Sequence, residues 1–172
     1  MNKTKHRREH DLLGDKAVPA DAYYGVQTQR ALENFAISGV NLQLFPPFIQ
    51  ALAEVKLAAA RANYELGGLS DEKAEAIATA CREIMSGALH DQFVVDLIQG
   101  GAGTSTNMNA NEVIANRALE LMGHKKGDYQ YCHPNNDVNL SQSTNDVYPT
   151  ALKIGLIKMK EQLLEELVLL IT

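Results

Sequence analysis

The chain has 172 residues, 45% hydrophobic and 22% charged, enough for one compact domain with a sizeable core or for a domain and part of another. A formal net charge of -5 argues against a nucleic-acid partner, and no run of ~18 apolar residues predicts a membrane span. No apolar segment follows the basic residues Lys3, Lys5, Arg7 and Arg8, so a secretory leader is not expected and the chain reads as cytoplasmic.

Residues 1–10 read as a polar, solvated tail. Within them His6-Arg7-Arg8-Glu9-His10 matches the H-x-x-E-H pattern of some zinc peptidases, and two histidines at i and i+4 on a helix can share a metal. No apolar face is present to hold such a helix against a core, so no metal site is expected. Residues 10–24, HDLLGDKAVPADAYY, suit a short hairpin or an extended lead-in. Val26, Ala31, Leu32 and Phe35 predict a helix at about 26–36.

The clearest helix spans 48–65, where Phe48, Leu52, Val55, Ala59 and Ala62 repeat with helical spacing. Pro46-Pro47 opens it and Gly67-Gly68 closes it. Ser70 is a natural N-cap for a helix running to about Met85, with Asp71 and Glu72 in its first turn. Ala110, Val113, Ile114, Ala118 and Leu121 predict another helix over 108–122, with Gly123 just past its end. The last helix runs from near Asp146 to the end of the chain. Its closing LLEELVLLIT stays apolar to Thr172 without a C-cap glycine, which predicts continuation into a longer protein or one arm of an oligomeric bundle. Cys81 and Cys132 lie far apart outside any paired motif and read as reduced thiols. With no internal repeat and no alternating βα pattern, the class is mainly α.

Two polar stretches stand out. Gly100-Gly101-Ala102-Gly103-Thr104-Ser105-Thr106-Asn107 feeds a helix N-terminus, where free N–H groups and the positive dipole end suit an anion. It lacks the lysine of a Walker loop, and Thr106 stands where the dinucleotide fingerprint needs a glycine. The glycines alone could be a structural turn, but the three hydroxyl residues after them exceed what capping requires. Asn107, Asn109 and Asn111 either cap backbone groups or orient neighbouring loops.

The second stretch is Ser143-Thr144-Asn145-Asp146. Ser143 and Asp146 have the spacing of a capping box, but Pro149 is best tolerated within a first turn. That places the N-cap at Asp146 and leaves Ser143, Thr144 and Asn145 ahead of the helix, as a site or as an ordinary turn. Upstream, His133-Pro134-Asn135-Asn136-Asp137 reads as a polar turn.

GGAGTSTNMNANEVIANRALELMG (100–123) and HPNNDVNLSQSTNDVYPTALKI (133–154) resemble the aspartase/fumarase superfamily, as does DLLGDKAVPADAYYGVQTQRALENFAISG (11–39). The resemblance covers nearly the whole chain from Asp11, in order. GGAGTS, QSTND, AYYGVQT and Tyr129-Gln130-Tyr131 are similar to the aspartate ammonia-lyase branch; class II fumarases tend to carry GGSGTQ and QSSND. The alternatives are a class II fumarase acting on malate and fumarate, and a stand-alone, non-catalytic ligand-binding domain.

The resemblance implies an N-terminal lyase-type helical domain over 1–142, and over 143–172 the start of a long helix of a central bundle. It implies an enzyme that acts on L-aspartate and fumarate as a homotetramer with active sites shared between subunits; no cofactor is expected, and no metal-ligand cluster is visible in these residues. Thr104, Ser143 and Thr144 match residues that bind the reacting carboxylate. Asn145, helped by Thr104, matches the residue near the departing amino group. The family's general-base serine lies beyond residue 172, so this chain alone is expected to be inactive. His133 and Asn135 match a second, non-catalytic acid site of fumarases, although Asn136 stands where those often carry Asp.

Overall fold

The structure, a computed structural model, describes residues 5–171; Lys3 and Thr172 lie outside them. Strands β1 (His6–Asp11) and β2 (Gly14–Pro19) form an antiparallel hairpin with His6 opposite Pro19 and Asp11 opposite Gly14. The solvated tail is therefore corrected over residues 6–10, which are a strand and not a helix. The inward side chains of β1 are polar but satisfied. Arg7 donates from Nη1 to the carbonyls of Pro19 (2.8 Å) and Ala22 (2.7 Å), from Nη2 to that of Tyr24 (2.6 Å), and from Nε to Glu9 (2.7 Å). A charged pair can line a buried strand face only because these partners replace water.

Helix α1 (Val26–Asn34) follows, and its N-terminus is capped from outside its own sequence. Glu112 accepts from the N–H groups of Gly25 (2.8 Å), Gln27 (2.8 Å) and Thr28 (3.0 Å), while Glu9 accepts from that of Val26 (2.8 Å). Two buried carboxylates thus take the four donors that a helix start leaves unpaired. A Cβ on Gly25 would lie 2.5 Å from the Tyr129 hydroxyl and 2.7 Å from Glu9 Oε2, so only glycine admits this approach.

Helices α2 (Pro46–Glu65) and α3 (Asp71–Met85) pack against each other and against α4 (Thr104–Leu121) around Ile49, Leu52, Ile77, Ile84, Ile114 and Leu119. Prolines occupy the first turn of α2 and Ser70 Oγ accepts from the Lys73 N–H (3.5 Å), as their sequence positions predict. The buried stripe of α2 is rotated from the expected one. Ile49, Leu52, Ala53, Lys56, Ala60 and Asn63 are inside, whereas Ala62 is exposed and Val55 half-buried.

Helix α4 starts at Thr104, four residues earlier than predicted, because Gly103 takes a left-handed conformation (φ 86°) and Gln99 caps it with a side-chain amide. Gln99 Oε1 accepts from the Thr106 N–H (3.0 Å) and Gln99 Nε2 donates to Thr106 Oγ1 (2.6 Å). A one-turn π-helix (Pro134–Val138) precedes α5 (Thr144–Ile171), whose first turns lie on α2 with Val147 and Ala151 buried. Among the described residues no helix is long and apolar enough to cross a membrane.

Candidate functional site

The N-termini of α4 and α5 lie side by side. A Cβ on Gly103 would sit 2.1 Å from Tyr148 Cδ2, so the N-cap of α4 rests directly on a ring in the second turn of α5. One turn further, Asn107 Nδ2 donates to Thr144 Oγ1 (3.0 Å). Thr104 opens α4 and Ser143, Thr144 and Asn145 lead into α5, so these residues stand at the ends of two neighbouring helices, each with its positive end there.

The cap of α5 differs from expectation. The Ser143 carbonyl accepts from the N–H groups of Asp146 (3.1 Å) and Val147 (3.0 Å), and Ser143 Oγ accepts from the Asn145 N–H (3.1 Å). Ser143, not Asp146, is the N-cap, and Pro149 lies inside the helix. Residue 149 has no N–H for the Asn145 carbonyl, a cost that burial outweighs: Val147 is 2% and Ala151 0% exposed, and Tyr148 meets Phe48 edge to face at 5.6 Å. Ser143 thus has a capping task, and its hydroxyl hydrogen stays unspent in that task. Thr144 is in the same position, its oxygen occupied by Asn107. Thr104 and Asn145 are exposed.

Beneath this cradle lies a polar cluster that the sequence reading missed. Lys56 is 0% exposed and donates to Asn139 Oδ1 (2.7 Å) and Gln142 Oε1 (3.0 Å). Asn139 Oδ1 also accepts from Asn107 Nδ2 (3.1 Å) and Asn111 Nδ2 (3.2 Å). Asn63 donates to the Leu140 carbonyl (2.9 Å), and Lys73 pairs with Asp137 (2.9 Å). Burial pushes the Lys56 amine down to about 7, while the Cys81 thiol near it is pushed up to about 12. A signal was present: Ile49, Leu52, Lys56, Ala60 and Asn63 keep helical spacing, but a lysine in such a stripe is ordinarily assigned to the solvent side.

A protein-family model described as lyase matches residues 14–172, most of the chain. The chain belongs to this lyase family. It is 62% identical over 161 residues to the aspartate ammonia-lyase of Pseudomonas aeruginosa, covering 94% of this chain and 34% of that protein. To the aspartate ammonia-lyase of Bacillus subtilis it is 57% identical, with the same two coverages. Among solved structures, a fumarate lyase:delta crystallin from Brucella melitensis in native form superposes with a TM-score of 0.89 at 60% identity, over 91% of this chain and 35% of that one. A class II fumarase from Schistosoma mansoni does so at 0.81 and 39% identity, over 88% of this chain and 32% of that one. The chain spans about a third of the length of the curated relatives it matches. This places it in the aspartase/fumarase superfamily, and the mainly α fold agrees.

The lyase chain sets His133 and Asn135 in a cleft that Thr104, Ser143, Thr144 and Asn145 do not line. The cleft, of ≈ 620 Å³, is lined also by His10, Gln27, Glu112 and Tyr129. His133 Nδ1 accepts from the N–H groups of Asn135 (3.0 Å) and Asn136 (3.2 Å), which leaves Nε2 as the protonated nitrogen. Burial lowers its pKa, keeping the ring neutral at pH 7. In the same wall burial pushes the Glu112 carboxyl up to about 7, against the pull of the N–H groups it accepts from. Among the described residues, no three His, Cys, Asp or Glu side chains gather as a metal site would require.

Proposed function

We propose that the full-length protein is an aspartate ammonia-lyase, interconverting L-aspartate with fumarate and ammonia, and that this chain supplies groups binding the reacting carboxylate. The polarity of the cradle carries the reading. Ser143 Oγ and Thr144 Oγ1 each accept a hydrogen bond from the protein, so each keeps its hydrogen to donate outward. They stand at helix N-termini, where orphan N–H groups add further donors.

A base removes the proton from the carbon next to one carboxylate. The electron pair of the broken C–H bond spreads into that carboxylate, giving a dianionic aci-carboxylate. It returns to form the C=C bond while the C–N bond breaks and its pair leaves with ammonia. The added charge appears only during reaction, so donors already in place stabilise the transition state more than the substrate. Thr104, Ser143 and Thr144 take this carboxylate. Asn145, with Thr104, sits by the departing amino group. The reaction as written needs no cofactor.

The base is a serine expected downstream of residue 172, so residues 1–172 alone bind without turnover. We assign residues 1–142 to an N-terminal lyase domain and 143–172 to the start of a central bundle. The bundle builds a cytoplasmic homotetramer with shared active sites. His133 and Asn135 form a secondary anion site. The second reading, a class II fumarase, rests on the likeness of fold to the Schistosoma mansoni enzyme, at a TM-score of 0.81 and 39% identity, below the 57–62% identity to aspartate ammonia-lyases.

Ultraviolet detection of fumarate from L-aspartate and from L-malate separates the two: release from malate alone overturns the aspartase assignment. In the same assay Thr144→Val and Asn145→Ala each lower kcat/KM by about 100-fold or more with the fold intact. Near-normal rates would show this turn to be only a cap.

A further inference from the structure

Lys56 is the buried group that the proposed chemistry does not use. Its stem lies in the stripe of α2 that faces the core, among Leu52, Ala53 and Ala60, and its amine is closed off beneath residues 139–142. It forms no ion pair among the described residues. A lysine that merely filled space would be better replaced by methionine, because an unpaired buried amine costs stability.

What Lys56 dictates is the orientation of two amides. Charged or neutral, the Lys56 amine carries at least two hydrogens, enough to donate to both polar groups that face it, so it turns oxygens towards itself. It therefore holds Oδ1 of Asn139 and Oε1 of Gln142 towards itself (2.7 and 3.0 Å). The opposite ends of those amides then face carbonyls: Asn139 Nδ2 donates to Gln142 O (3.1 Å), and Gln142 Nε2 donates to Val138 O (2.9 Å) and Leu140 O (3.2 Å). With Asn139 Oδ1 fixed, Asn107 must turn its NH2 towards it (3.1 Å), and the other hydrogen of that NH2 reaches Thr144 Oγ1 (3.0 Å). Thr144 is then an acceptor towards the protein and a donor towards the cradle. Reversing either amide would set donor against donor at Lys56 and release this polarity.

We propose that Lys56 is a positioning residue, orienting the Thr144 hydroxyl as a donor through Asn139 and Asn107. This rests on the lyase reading, in which Thr144 binds the reacting carboxylate. Lys56 touches no substrate; it acts through the relay.

A double-mutant cycle on the full-length protein tests it, with kcat and KM for L-aspartate measured for Lys56→Met, Thr144→Val and both together. Lys56→Met is expected to lower kcat/KM by about 30-fold or more, chiefly in kcat. Combined with Thr144→Val, it should add no more than about threefold to the loss from Thr144→Val alone, because both remove one interaction. Independent structural damage would instead multiply, and that result, or a Lys56→Met enzyme within about threefold of wild type, overturns the proposal. If Lys56→Met does not fold, Asn107→Leu interrupts the relay and leaves Lys56 in place; it must show the same non-additivity with Thr144→Val, and multiplication there overturns the proposal equally. A wild-type protein inactive on both L-aspartate and L-malate defeats the lyase reading and this proposal together. An active wild type with multiplicative losses defeats the proposal alone.

Discussion

Lys56 and Glu112 show what burial does to a single ionisable side chain. Each is enclosed by groups suited to its charged form, amide oxygens around Lys56 and backbone N–H groups around Glu112, yet desolvation moves both pKa values to about 7. For Lys56 the folded value is depressed below the ordinary 10.5. Folding then expels a proton between about 10.5 and 7, so its contribution to stability falls as pH drops through that window and levels off below it. Urea unfolding of wild type and Lys56→Met from pH 7.5 to 10 should show wild type gaining on the variant as pH rises, by at most about 1.4 kcal/mol per pH unit. Cys81, the titratable neighbour, has its pKa pushed up to about 12 and stays neutral throughout. A pH-independent difference would mean that Lys56 keeps an ordinary pKa in the fold.

The heads of α4 and α5 show how elements position the cradle. Gly103 does two things that its neighbours in sequence do not announce: it takes a φ of +86° and leaves room for the Tyr148 ring. Gly103→Ala must displace that ring or separate the two helix ends, so it is expected to lower stability by about 2–4 kcal/mol and to impair activity as strongly as loss of Thr144. Thermal unfolding followed by circular dichroism checks the first part, and the fumarate assay the second. An alanine variant with wild-type stability would mean that Tyr148 moves freely. The capping-box spacing was legible in Ser143 and Asp146, but Pro149 argued against it. Val147, Tyr148 and Ala151 settle the matter by packing on residues from α2 and α4, which local helix rules cannot see.

On the scale of the whole molecule, the far part of α5 leaves an apolar stripe uncovered. Leu156 (54%), Leu163 (60%) and Leu170 (82%) are exposed at seven-residue spacing, with Met159 and Leu167 between them. That is the pattern of a helix prepared for other helices, and it supports the tetramer proposed above. Leu156→Glu with Leu163→Glu should lower the mass of the full-length protein in size-exclusion chromatography with light scattering. An unchanged mass would place the subunit contacts elsewhere.

Local chemistry is read directly from sequence. Ser70 and Gly67 bound their helices and Pro46-Pro47 opens α2, because capping and turn preferences depend on residues a few positions apart, whereas the family resemblance singles out Thr104 and Ser143–Asn145. The tertiary structure decided what depends on distant partners. The Thr144 hydroxyl is oriented by an amide 37 residues away, and Lys56 goes inside because an oxygen 83 residues away receives it. Strand β1 replaces a tail because Arg7 and Glu9 find carbonyls and N–H groups across the hairpin and on α1. Burial of a polar group follows from its partners, and those partners are adjacent only in the folded chain.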